Sequence, residues 1–181
     1  CAVWAGPDDP VELRVVEPGD VLTAESHEVR VVAANHKPGS VLYDVTAPDG
    51  ARVLYATDTG VLPEATVEAC AGRAYDLVLM EQTWGDEPVG EHGSGHQTLA
   101  TFGDDVERLR TVGAVTRRTT VVAVHLSHFN APEPELSGRL ADVGAVAVPD
   151  LTAFVLPARP AGPDGSPVPG GATAAAEVGG W

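Results

Sequence analysis

The chain has 181 residues, 44% of them hydrophobic, which is enough for one sizeable core and too few for two comfortable domains. Its 26 acidic residues outnumber 11 basic ones, among which Lys37 is the sole lysine, and the formal net charge of -15 repels a phosphate backbone, so nucleic acid is not a natural partner. Cys1 and Cys70 show neither metal nor redox spacing, and no membrane-spanning apolar run or signal-peptide pattern is present, so a soluble cytoplasmic protein is expected.

In chain order, AVWAG (2–6) reads as a short strand and LRVV (13–16) as a second before the turn EPGD. HEVRVVAA (27–34), SVLYDVTA (40–47) and ARVLYAT (51–57) follow, the last two joined by the hairpin turn PDG. This is a β-meander that ends at Asp58. LPEATVEACAGR (62–73) predicts a helix that starts near Pro63, because proline is tolerated in the first turn. YDLVLME (75–81) is a continuous apolar run and reads as a buried strand. The pattern has changed from all-β to α/β. TWGDEPVGEHGSGHQT (83–98) is a Gly-rich polar loop, and LATFGDDVERLRTVGAV (99–115) has apolar residues at helical spacing before a terminal glycine. TTVVAVHLSHFN (119–130) is a buried strand that delivers His125 at its end. A helix over PEPELSGRLADVG (132–144) leads to a strand pair, VGAVAV and TAFVL. Residues 158–181, dominated by Pro, Gly and Ala, form a tail without the means to build a core.

Four side chains able to bind metal or move protons stand where these strands meet their loops: His36, Asp58, Glu81 and His125. Strand ends are where α/β proteins assemble their sites. Taken singly, each has a plainer reading. His36 before Lys-Pro-Gly and Asp58 before Thr-Gly are both turn residues in many proteins, and Glu81 reads as a supporting or salt-bridging acid. His128 reads as a loop histidine, and His27 as a surface residue on an alternating strand. The Asp-Thr-Gly at 58–60 raises the aspartic-protease dyad, which needs two such loops in an almost entirely β fold. Here there is one loop, several helices, and Val61 after the glycine, so that reading is disfavoured.

In the order VVAANHKPGSVLYDV, VLYATDTG, DLVLMEQTWGD, GHQTLATF and VVAVHLSHFN, the chain resembles the metallo-β-lactamase-fold hydrolases. Within them it is similar to the branch of ribonuclease Z and the cyclic phosphodiesterases, over roughly residues 2–156. The resemblance implies an α/β fold, an αββα sandwich, here incomplete: the end of the first half plus the second half, as one domain over 1–157. It implies two divalent metal ions, zinc or else manganese, about 3.5–4 Å apart with a hydroxide between them. Asp58 would bridge both ions, while His36 would complete the ligands of the first and His125 those of the second. His96 in GHQTLATF would assist proton transfer to the leaving group, with His92 in the same loop left open as the working residue.

The chain departs from the family in having no His-x-His and no Asp-His, so the His-x-His-x-Asp-His loop that supplies further ligands is missing. With Cys1 in place of Met, this suggests a piece that begins in mid-fold. The expectation is therefore a metal-dependent hydrolase, a phosphodiesterase on a small or nucleotide-type substrate, active only with the missing part and compatible with a homodimer of the complete protein. The alternative is a non-catalytic remnant serving as a binding or structural module. Intact His36, Asp58 and His125 favour the enzyme.

Overall fold

The computed structural model describes residues 14–88 and 95–159. The expected strand at 2–6, His92 and nearly all of the 158–181 tail lie outside those residues. Six strands form a single sheet in sequence order: β1 (Val21–Ala24), β2 (His27–Ala33), β3 (Val41–Thr46), β4 (Arg52–Ala56), β5 (Leu77–Glu81) and β6 (Thr120–Val124). The first four are antiparallel neighbours, and β4, β5 and β6 run parallel. The meander and the switch to α/β at Asp58 are thus both present.

The β3–β4 hairpin turns at Pro48–Gly50 as expected. Gly50 takes φ 83° and its N–H donates to the Ala47 carbonyl, while the Asp49 carboxylate accepts from Ala51 N–H. The start of the meander differs from the expectation. Residues 14–17 form no strand, and β1 lies instead after the Pro18–Gly19 turn. Its two-residue connection to β2 is Glu25–Ser26, with φ 47° and 70°, the doubly left-handed turn whose twist suits a hairpin. Glutamate and serine are not the Asn-Gly signal for such a turn, and this hid the strand.

Three helices cover one face of the sheet. They are α1 (Glu64–Ala69), with Pro63 at its N-cap, α2 (Leu99–Thr111) and α3 (Glu135–Asp142). Thr98 and Thr101 close a reciprocal cap at the start of α2. Val67 of α1, Phe102, Val106 and Leu109 of α2, and Leu136 and Leu140 of α3 pack on Leu42, Leu54, Ala56, Val78, Met80 and Val121. The strand pair expected over 143–156 does not form. Val146 makes a single bridge to Val122, and Pro149, which lacks an N–H, follows too soon for a ladder to extend. The segment instead lays Phe154 and Leu156 against the other face of the sheet. There, with Val29, Tyr43, Val45, Val53 and Tyr55, they line an open groove of about 680 Å³. Tyr55 is 45% exposed on this face, and among the described residues no helix covers it.

At the end of the sheet away from the strand-end histidines, fully buried Asp44 on β3 holds two arginines. Arg30 approaches to 3.2 Å, and Arg73 donates to it at 2.9 Å and to Thr46 Oγ1 at 2.8 Å. Removing one partner of a buried ion pair leaves the other charge uncompensated. Asp44→Ala is expected to lower the unfolding free energy by about 3 kcal/mol. Urea denaturation would measure it, and a loss under about 1 kcal/mol would show that the arginines find other partners.

Candidate metal centre

The parallel register lines up the C-terminal ends of three strands. Ala56 of β4 stands opposite Met80 of β5, and Glu81 opposite Val124 of β6. Asp58, Glu81 and His125 therefore emerge at one edge of the sheet. Asp58 and His125 both adopt left-handed backbone conformations, φ 55° and 59°, which few residues other than glycine adopt. Strain of this kind persists only where the surroundings impose it, and it clusters at functional sites.

Asp58, Glu81, His96 and His125 each offer a ligand atom, and these four atoms lie within 4.8 Å of one another. His125 Nε2 is 3.2 Å from Asp58 Oδ1. The other nitrogen of that imidazole is held by Thr83. Thr83 Oγ1 lies 2.8 Å from Glu81 Oε1 and 2.8 Å from His125 Nδ1. An ionised carboxylate only accepts, so the single hydroxyl hydrogen of Thr83 goes to Glu81, and Nδ1 of His125 must be the N–H that donates to Thr83. Nε2, on the other side of the ring, faces a carboxylate oxygen of Asp58. An arrangement of this kind suits a cation between the two atoms. Ligands about 2.0–2.1 Å from a tetrahedral zinc stand roughly 3.3 Å apart, close to the distance observed. The donor set fits a metal ion.

Glu81 is fully buried, and both of its oxygens are engaged. Oε1 accepts from Thr83 Oγ1 and from Gln97 N–H at 2.8 Å, and Oε2 faces His96 Nδ1 at 2.6 Å. These are the contacts of a salt-bridging acid that ties Thr83, Gln97 and His96 together. The contact orients the His96 ring through Nδ1, so that Nε2 points away from Glu81. The His96 and His125 rings stack with centroids 5.4 Å apart.

His36 stands beside this group rather than within it. Its ring centroid is 4.9 Å from that of His96, and Nδ1 is 3.5 Å from Ser40 Oγ. Gly95 makes the approach of the two loops feasible, since a Cβ there would come within 2.7 Å of the His36 ring. All the proposed ligands and His96 are thus brought to one end of the sheet, while His27 opens β2 and lines the groove on the other sheet face. Thr83 and Gln97 were missed in the sequence. The signal for Thr83 was its place two residues after Glu81, but the strand ends at 81 and the alternation could not be carried past it.

No family sequence model matches the chain, and no curated protein does. Solved structures do resemble it. The metallo-beta-lactamase fold protein YhfI from Bacillus subtilis aligns with 18% identity and a TM-score of 0.56 over 74% of this chain and 51% of its own. Unliganded yeast PDE1 aligns with 13% identity and a TM-score of 0.53 over 74% of this chain and 47% of its own. Human tRNase Z, short form, aligns with 18% identity and a TM-score of 0.52 over 75% of this chain and 46% of its own. The chain spans about half the length of these structures. At such identities the likeness speaks for architecture, and together with the parallel strand ends and their ligand cluster it shows that the chain has the metallo-β-lactamase fold.

Proposed function

We propose that the chain is part of a metal-dependent hydrolase acting on a phosphodiester of a small or nucleotide-type substrate. The observation that carries this reading is the convergence of ligand atoms from Asp58, Glu81, His96 and His125, with His125 Nε2 3.2 Å from Asp58 Oδ1 and the Glu81–His96 pair beside them. His36, Asp58 and His125 would hold two divalent ions, zinc or else manganese, with Asp58 reaching both. Bound ions would supply Lewis-acid activation of water and of the phosphoryl group. His96, its Nδ1 proton held by Glu81, would deliver a proton from Nε2 to the leaving-group oxygen. Three ligands are too few for two four-coordinate zinc ions, so the remaining donors would come from outside the described residues. Among those residues no helix is long and apolar enough to cross a membrane. The net charge of -15 favours a small substrate over tRNA, and a cytoplasmic setting is part of the same proposal.

The test is a substrate panel with the complete protein: bis(p-nitrophenyl) phosphate, a cyclic nucleotide, a thioester and a lactam, each with and without chelator. Chelator-sensitive cleavage of the phosphodiesters is expected. Cleavage of the thioester or lactam alone would overturn the substrate class.

The open groove around Tyr43 and Tyr55 favours a further expectation for the 181-residue chain by itself. It should be inactive, associate with rising concentration and bind a hydrophobic dye, because among the described residues no helix covers that sheet face. Size-exclusion chromatography over a concentration series checks this, and a dye-negative monomer with hydrolase activity would refute it.

A further inference from the structure

The loop that carries Asp58 is gripped from α2 at Leu62, four residues further along the chain. Leu62 N–H donates to Asp105 Oδ2 at 2.7 Å, and the Leu62 carbonyl accepts from Arg108 Nη1 at 2.8 Å. Arg108 Nη1 also donates to Asp105 Oδ1 at 2.6 Å, and its Nη2 reaches Glu64 at 2.7 Å. Both backbone groups of one loop residue are thus clamped by a fully buried carboxylate and its guanidinium partner. A second attachment lies between the clamp and Asp58, where Gln97 Nε2 donates to the Gly60 carbonyl at 3.2 Å. A third ties the loop to the end of β2. Gly60 N–H donates to the Asn35 carbonyl at 2.7 Å, and Asn35 N–H to Thr59 Oγ1 at 3.0 Å.

A buried carboxylate is costly unless its hydrogen bonds return the cost, and burial does push the Asp105 carboxyl up against the opposing pull of the Leu62 amide and Arg108. An apolar residue would fill this helix position more cheaply. What Asp105 adds is a fixed direction for the segment that follows a left-handed Asp58. We infer that Asp105, with Arg108, is a positioning residue that sets the aim of the Asp58 carboxylate through Leu62. The inference rests on the proposed reading of Asp58 as a metal ligand.

The test compares Asp105→Asn with Leu109→Ala, a core truncation on the same helix with no bond to the loop, and with Asp58→Ala. Two readouts are taken on the full 181-residue chain: amide chemical shifts of residues 58–62 without metal, and the Co²⁺ concentration at half-saturation by NMR. Asp105→Asn is expected to move or broaden the 58–62 amides and to raise the Co²⁺ midpoint at least about tenfold. Leu109→Ala should destabilise the chain and leave both readouts near those of the parent. Unchanged 58–62 amides in Asp105→Asn would overturn the inference, as would equal shifts in Leu109→Ala. Unchanged Co²⁺ binding in Asp58→Ala would instead overturn the metal reading of the site. Should Asp105→Asn fail to fold, Arg108→Ala, which keeps the carboxylate and removes its partner, is read in the same way.

Discussion

Asp58→Ala in the complete protein is expected to abolish phosphodiester turnover and to lower the metal content. The carboxylate sits at the end of β4 with its Oδ1 3.2 Å from His125 Nε2, so its removal leaves that imidazole without the partner it faces. A carboxylate can offer one oxygen to each of two cations, and among the described residues of the cluster the one other carboxylate is Glu81. Glu81, the nearest other acid in the cluster, already spends both oxygens on Thr83, Gln97 and His96. An alanine at 58 also loses an aspartate's tolerance of the left-handed backbone, so the loop itself is disturbed. Metal content by elemental analysis separates these outcomes from a simple loss of rate. Full occupancy in the variant would refute the bridging role.

His96→Ala should slow turnover by roughly a hundredfold or more while leaving metal bound. The imidazole is held by a buried carboxylate at 2.6 Å, which orients the ring. Removing it also leaves one oxygen of Glu81 buried without a partner, so some loss of stability is expected beside the loss of rate. A substrate with a good leaving group needs less help from a general acid. The defect should therefore shrink when p-nitrophenol is the leaving group and grow for an unactivated alkoxide. An equal defect for both substrates would point to positioning instead of proton transfer.

These effects trace back to features of unequal visibility in the sequence. The strand-end residues were legible because a buried parallel strand is a continuous apolar run, and DLVLME and VVAVH each end abruptly in a polar group. The β3–β4 turn was legible through Pro-Asp-Gly. The first hairpin was hidden because Glu25 and Ser26 occupy left-handed positions usually given to Asn and Gly. Of the strand pair expected after α3, Ala145 packs into the core and Val146 makes one bridge to β6, while Phe154 and Leu156 line the groove on the other sheet face, since apolar character alone does not say which surface a segment covers. Partnerships across long separations were invisible. Thr83 with His125, Gln97 with Glu81 and Asp105 with Leu62 depend on register, which single-residue patterns do not encode.

The claim on which the rest depends is that Asp58 and His125 share a cation. Crystals of the complete protein grown with zinc, measured on either side of the zinc absorption edge, test it most directly. The expected result is an anomalous peak within coordination distance of both the Asp58 carboxylate and His125 Nε2, with His125 Nδ1 still bonded to Thr83. Zinc bound at full occupancy elsewhere, with Asp58 and His125 in direct contact and no peak between them, would contradict the account.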